Sequence, residues 1–229
     1  MANTVLITGA NRGLGLEFCK QYAMDDWQVF ACCKDLNNAN DLKNLSQQYS
    51  KITCLTLDVT SSNSIEALKD AVQSPIDVLI NNAGFLEHDS LENVSPDIML
   101  KTFAINTLGP LEVLKAFKAH VAKSQRKLIA SVSSSMGSIS ENTSGGYYSY
   151  RASKAALNMI MRSAAHDLAS TNVDVLLLHP GWVKTRMGGD QAQLAASDSV
   201  KGMRTVIANY KPSKGEVQFI RYNGEIIPW

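Results

Sequence analysis

The sequence predicts an α/β fold: a single doubly wound parallel sheet with helices on both faces. Short apolar, β-rich runs alternate with stretches of helical periodicity along the 229-residue chain. Strands that are apolar throughout are strands buried on both faces, with helices packed above and below them. Right-handed crossovers between such strands then make the sheet parallel.

The first strand is "TVLIT" (4–8), followed by a glycine-rich turn and the helical "LEFCKQYAMDD". "WQVFACC" (27–33) is the second, and Leu42, Leu45 and Tyr49 recur at helix spacing behind it. "ITCLTLDV" (52–59) is the third, leading into "SSNSIEALKDAVQ", where Ser and Asn precede the apolar positions as helix caps do. "DVLINNAG" (77–84) is a fourth strand that ends in a turn. A long helical region (96–123), "KLIASVS" (127–133), a helix over 147–169, "VDVLLLHPG" (173–181) and a short strand near "VQFI" (217–220) complete the series. Two stretches break the rhythm, "SSSMGSISENTSGG" (133–146) and "MGGDQAQLAASDS" (187–199). Both are small and polar, and both follow the carboxyl end of a strand, where open α/β sheets bind ligands.

With 45% hydrophobic and 19% charged residues the chain can bury a substantial core, and without repeat or linker it reads as one domain, 1–229. The net charge of +1, with Lys and Arg scattered, offers no basic stripe for nucleic acid. "MANTVLITGA" lacks the basic segment and cleavage site of a signal peptide, and no apolar run approaches the ~18 residues of a membrane span. A cytoplasmic protein that binds no membrane is therefore expected. Cys19, Cys32, Cys33 and Cys54 do not form a disulfide framework and read as reduced core residues. His88, His120, His166 and His179 show no metal-ligand spacing, so no metal is expected.

"TGANRGLG" (8–15) sets Gly9, Gly13 and Gly15 between the first strand and the first helix. Glycine lets backbone approach a bound group closely, and a helix N-terminus directs N–H groups and positive dipole at a pyrophosphate. The spacing is not G-x-G-x-x-G, because Phe18 stands at the last position. In "YYSYRASK", Tyr150 and Lys154 lie four residues apart on one helix face. Tyr147 lies about 10.5 Å from the lysine along the axis, and Tyr148 points elsewhere.

T-G-x-x-x-G-x-G, "NNAG" (81–84), a serine on the loop after the fifth strand, Y-x-x-x-K and "PGWVKT" (180–185) occur in that order over essentially the entire chain. Together they resemble the Rossmann-type short-chain dehydrogenase/reductase family. "SVSSSMGSI", "YRASKAALN", "HPGWVKTRMGG" and "YNGEIIPW" are most similar to its C-factor and sniffer-type carbonyl reductase branch. The resemblance implies an NAD(P)-dependent carbonyl reductase or alcohol dehydrogenase in which Tyr150 is the proton donor. Lys154 would lower the phenol's pKa from its ordinary value near ~10 and hold the nicotinamide ribose. Counting back from Gly137, the family's serine falls on Ser134, with Ser135 left open because the serine-to-tyrosine gap is longer than usual. Ser134 would steady the substrate oxygen as charge builds there. Asn106 matches the helix asparagine that holds a water joining lysine to solvent; the plain alternative is a buried amide that satisfies backbone. A serine hydrolase at "SVSSSMG" lacks a histidine and acid in any recognisable arrangement.

For the cofactor, the resemblance implies contacts from Gly9, Asn11, Arg12, Gly13, Leu14 and Gly15 in the first turn. It adds Asp58 and Val59, then Asn82, Ala83 and Gly84 near adenine and ribose, and Pro180, Gly181, Val183 and Thr185 at the carboxamide. The second strand ends "ACCK", so Cys33 stands where an NAD enzyme carries Asp, and Lys34 and Arg12 are cations suited to a 2′-phosphate. NADP(H) is expected in preference to NAD(H), although Asp35 beside Lys34 works against it. The resemblance implies a small carbonyl or alcohol substrate; Tyr147, Tyr148, Trp182 and Met187 are candidate walls of an open pocket, with core or helix packing the equal alternative for each. Relatives pair through the two long helices, which implies a homodimer or homotetramer. The alternative from another class is a C-factor-like regulatory protein that binds a dinucleotide with little turnover.

Overall fold

The computed structural model describes residues 3–212 and 214–229, so the first two residues of "MANTVLITGA" lie outside it. Seven strands form one parallel sheet: β1 (Thr4–Thr8), β2 (Gln28–Cys33), β3 (Ile52–Thr56), β4 (Val78–Asn81), β5 (Leu128–Val132), β6 (Asp174–His179) and β7 (Val217–Arg221). Their order is β3-β2-β1-β4-β5-β6-β7. The strands fall where the apolar runs predict, but β3, β4 and β6 end two to three residues earlier than those runs. The residues left over, Asp58 and Val59, Asn82 to Gly84, and Pro180 with Gly181, leave the sheet and line its carboxyl edge. Strand order reverses between β1 and β4, which opens a crevice there.

Helices α1 (Gly13–Met24), α2 (Asn40–Gln48), α3 (Ser62–Ala71), α4 (Pro96–Phe103), α5 (Gly109–Ala122), α6 (Tyr148–Leu168) and α7 (Ala196–Asn209) cover the two faces. Phe18 of α1, Leu42 of α2 and Met203 of α7 pack with Val5, Val29 and Leu176 on one face. Ile65 of α3, Phe117 of α5 and Leu157 of α6 pack with Leu6, Ile129 and Phe219 on the other. Helix α7 was not expected. Its buried stripe of Val200, Met203 and Ile207 follows directly on the polar stretch read as loop, and Gly202 in its middle weakens the helical signal. Among the described residues no helix is long and apolar enough to cross a membrane.

The long helical region is not one helix. Between α4 and α5 the chain widens into a π turn, Ala104–Leu108, with Gly109 N–H bonded to Ala104 O five residues back. Pro110 has no N–H to offer the Asn106 carbonyl four residues before it, so a regular α-helix cannot run through this point. Such π turns recur at functional sites.

The tail after β7 turns back along it, with Arg221 N–H to Glu225 O at 2.8 Å and Ile227 N–H to Phe219 O at 2.7 Å. This covers the edge of the sheet, which exposed N–H and C=O groups would otherwise leave open to pairing.

The glycine turn is held between β1 and β4. Asn82 N–H and Ala83 N–H both donate to Thr8 Oγ1 at 3.0 Å, and Asn82 Nδ2 donates to Thr8 O at 2.9 Å. A methyl group on Gly15 would run into Gly9 O and come within 2.6 Å of Asn82 Nδ2. Gly15→Ala is therefore expected to lower the unfolding free energy by about 1–3 kcal/mol, read from urea denaturation, because it overpacks backbone rather than a flexible side chain.

Candidate active site

Three loops meet over the crevice. Helix α1 opens at Gly13 with no side-chain cap from Arg12 and no acidic residue in its first turn, so its leading N–H groups and positive dipole face the opening. Asn11 and Leu14 flank this turn, partly buried. A Cβ on Gly13 would lie 3.4 Å from the Thr185 methyl, which brings the loop after β6 onto the turn after β1. Within that loop, Thr185 Oγ1 accepts Gly188 N–H at 3.1 Å, Val183 bridges to Leu194, and Pro180 O accepts Ser199 Oγ–H at 2.6 Å. Gly181 faces Leu194 and Tyr222. Uncapped donors with no acid nearby fit the diphosphate of a dinucleotide.

At the far end of the crevice the two expected contacts meet each other. Lys34 Nζ lies 2.7 Å from Asp58 Oδ2, with the lysine side chain 75% exposed. Partial burial works to raise the Asp58 pKa, but hydrogen bonds from Lys34 and Thr60 outweigh it and bring the carboxyl down to about 2. Asp35 does not oppose Lys34 directly: its carboxylate accepts Asn37 N–H at 2.8 Å and Asn38 Nδ2–H at 2.6 Å within its own turn. Val59 is buried, and a Cβ on Gly109 would lie 2.9 Å from its Cγ2, so it sits against α5.

The other end is built on α6. Its first residue follows Tyr147, which is left-handed at φ 52° and packs against His88 with ring centroids 5.0 Å apart and planes tilted by 55°. Tyr148 is exposed. Asp89, from the loop after β4, caps the helix, accepting Ser149 N–H at 3.1 Å and the Ser149 hydroxyl on the same oxygen. One residue on, Tyr150 is buried, as is Lys154.

The three serines separate. Ser133 Oγ–H donates to Asn158 Oδ1 at 2.7 Å, and the Ser135 N–H donates to His179 Nδ1 at 3.1 Å. Ser134 Oγ accepts Met136 N–H at 3.2 Å, and Ser134 is the one of the three that acts on the Tyr150 phenol, working to lower its pKa. Of the three, Ser134 is thus the serine that influences the tyrosine, whereas the Ser135 backbone is tied to His179.

The expected lowering of the phenol's pKa by lysine is not what this arrangement produces. Burial pushes Tyr150 up to about 12, with the Ser134 hydrogen bond the single opposing influence. Lys154 donates to Val132 O at 2.8 Å and stands 5.7 Å from the centre of the Tyr150 ring. Burial also pulls Lys154 down to about 8. Both groups are driven toward their neutral forms because each is desolvated before any ion pairing offsets the cost.

Asn106, buried in the π turn, uses its amide on protein groups. It accepts Phe85 N–H at 2.8 Å and donates to Phe85 O at 2.8 Å and Ser153 Oγ at 3.0 Å. The plain alternative of an amide that satisfies backbone describes its side chain. Gly84 sits beside it, where a Cβ would lie 3.6 Å from Asn106 Oδ1 and 3.9 Å from Lys154 Nζ. Asp89, Asn158 and His179 were not singled out from the sequence, although Asn158 continues the Tyr150–Lys154 spacing by another four residues.

The family model described as short chain dehydrogenase matches residues 3–195. The chain is 47% identical to C-signal of Myxococcus xanthus over 156 residues, 68% of this chain and 93% of that protein. Its fold superposes on the carbonyl reductase Sniffer of D. melanogaster with a TM-score of 0.93 at 33% identity, covering 100% of both chains. An NADPH-bound carbonyl reductase from chicken fatty liver gives 0.94 at 32% identity, covering 100% of this chain and 99% of that one.

A folded-state Lys154 pKa of about 8 against an ordinary 10.5 means that folding releases a proton between those values. Stability contributed by this residue therefore rises with pH across that window. Measured by urea unfolding, the parent protein is expected to gain stability relative to Lys154→Met as pH goes from 8 to 10.

Proposed function

Because the chain belongs to the short-chain dehydrogenase family of oxidoreductases, we propose that it transfers hydride reversibly between NADP(H) and the carbonyl carbon of an aldehyde, ketone or quinone. One observation carries this reading: Ser134, Tyr150 and Lys154 are all buried together at one end of the crevice, with Ser134 the serine that acts on the phenol. The likeness to an NADPH-bound carbonyl reductase supports both cofactor and substrate class.

A bound reduced nicotinamide supplies the hydride; the protein supplies position and the proton. Tyr150 donates its phenolic proton to the substrate oxygen. A phenol held near 12 is protonated at neutral pH, which is the form that carbonyl reduction requires. Ser134 Oγ already accepts a backbone N–H, so its own proton is left to donate toward the oxygen on which charge develops. Lys154 has one N–H on Val132 O and two more for ribose hydroxyls, and with a pKa of about 8 it still carries its charge at neutral pH. Asn106 fixes Phe85 and Ser153 around the lysine. Arg12 and Lys34 read the 2′-phosphate, Lys34 by exchanging part of its ion pair with Asp58 for the incoming anion.

Self-association through α4, α5 and α6 belongs to the same reading, supported by Leu100 and Met159, each about two-thirds exposed on these helices. The 47% identity to a protein named C-signal supports a second reading as a regulatory protein that binds a dinucleotide. Turnover separates the two.

Tyr150→Phe keeps the shape of the site and removes the proton. Reduction of an aldehyde, diketone or quinone panel is expected to fall about 10²–10⁴-fold while the NADPH dissociation constant holds. Near-normal turnover in that variant would end the mechanism, and no turnover in the parent protein would favour the regulatory reading. Fluorescence titration is expected to give tighter binding of NADPH than of NADH. Lys34→Asp should raise the NADPH constant far more than the NADH one; equal changes would remove Lys34 as the phosphate reader.

A further inference from the structure

Ser134 lies on the short turn after β5, and that turn is fastened to α6 at two points by one side chain. Asn158 is buried at 4% exposure, four residues beyond Lys154 and eight beyond Tyr150 on the same helix face. Its Oδ1 accepts the Ser133 hydroxyl at 2.7 Å, and its Nδ2 donates to Gly137 O at 3.3 Å. These two contacts bracket Ser134, one residue before it and three after. Between them the chain forms a tight turn, with Gly137 N–H on Ser134 O at 2.8 Å and Ser138 N–H on Ser135 O at 2.9 Å.

The turn rests directly on the helix. A Cβ on Gly137 would lie 2.8 Å from Lys154 Cβ and 2.9 Å from the Lys154 carbonyl carbon, so only glycine allows this approach. From the sheet side, His179 Nδ1 receives the Ser135 N–H. The proton donor and the lysine lie on the helix that Asn158 belongs to, and the serine lies on the turn that Asn158 holds.

A leucine at 158 would fill similar space without the cost of desolvating an amide. A buried amide that bonds both flanks of one residue gives orientation instead, since its partners must meet it at fixed angles. We infer that Asn158 is a positioning residue, which sets the Ser134 hydroxyl against the Tyr150 phenol and acts on the reaction only through that serine. This rests on the roles given above to Ser134 and Tyr150.

The experiment is a double-mutant cycle on reductive turnover with Ser134→Ala, Asn158→Leu and the pair, each assayed well below its unfolding midpoint. Asn158→Leu is expected to lower kcat about 10- to 100-fold, the scale of a misplaced catalytic group, and by no more than Ser134→Ala does. The NADPH dissociation constant should stay within about twofold, since misplacement of the serine leaves the ground-state cofactor contacts in place. In the Ser134→Ala background, Asn158→Leu should add nothing. Asn158→Asp, which keeps the acceptor for Ser133 and loses the donor to Gly137, should fall between parent and Asn158→Leu.

If the two losses multiply in the double variant, Asn158 acts otherwise than through Ser134 and the inference fails. If Ser134→Ala alone leaves kcat unchanged, the serine's role fails first, and that single variant identifies the failure. Should Asn158→Leu not fold, Ser133→Ala removes one of the two anchors by deleting a single oxygen, and the same cycle is run with it. Its effect must likewise vanish in the Ser134→Ala background.

Discussion

The contact on which the Tyr150 end of the crevice depends is the one between the Lys154 ammonium and the carbonyl of Val132. It joins the carboxyl end of β5 to the second turn of α6 and buries a titratable amine there. Burial alone makes such a group costly, so its surroundings must be polar and fully engaged. They are: Asn106 bonds Ser153, Thr107 bonds the Ser153 carbonyl at 2.9 Å, and Ser153 Oγ returns to Tyr150 O at 2.8 Å. On the other side of the lysine Asn158 holds Ser133 and Gly137. A seam of buried polar side chains therefore runs beside the apolar core. Because unsatisfied buried groups cost more than satisfied ones return, the seam admits few alternative packings of α6.

The same burial explains why the electrostatics run against the simplest expectation. Spacing alone puts Lys154 one helical turn from Tyr150 and suggests that cation and phenol share charge. Spacing carries no information about depth. Desolvation penalises phenolate and ammonium together, and the carbonyl of Val132 competes for the lysine's protons. What remains is an acid that stays protonated, suited to giving a proton to a carbonyl oxygen.

The parts legible in the sequence were those governed by short-range pattern. Continuous apolar runs marked all seven strands, and the order of turns marked the crevice. Strand ends were less legible, because "LDV", "NAG" and "HPG" are apolar or small enough to extend a strand while serving as the residues that leave it. Helix α7 was hidden by a glycine in its middle and by the polar stretch before it. The π turn had a readable signal in Gly109–Pro110, since a proline inside a helical run must leave a carbonyl without its usual partner. At the cofactor end the sequence showed Lys34, Asp35 and Asp58 but not which carboxylate faces the lysine. That depends on Asp35 closing its own turn, a choice made by Asn37 and Asn38.

The loop between Ser134 and Tyr150 shows why distant parts of the chain matter to the site. From 138 to 146 it is small and polar, so it cannot fix itself by burying apolar surface. Short turns within it, such as Glu141 N–H on Ser138 Oγ at 3.2 Å, are joined by groups from outside. Ser138 Oγ donates toward Pro228 O at 2.6 Å, and Trp229 O accepts the N–H groups of Ile139 and Ser140 at 3.0 and 3.1 Å. Arg221 pairs with Glu141 at 2.5 Å, and Arg151 Nε donates to Gly146 O at 3.0 Å. "YNGEIIPW" thus has a physical reading: the tail that covers the last strand also supplies the carbonyls that hold the serine's loop. The closing of the sheet edge and the fixing of the loop that follows Ser134 are thereby linked, because the tail from 221 to 229 satisfies backbone groups of both.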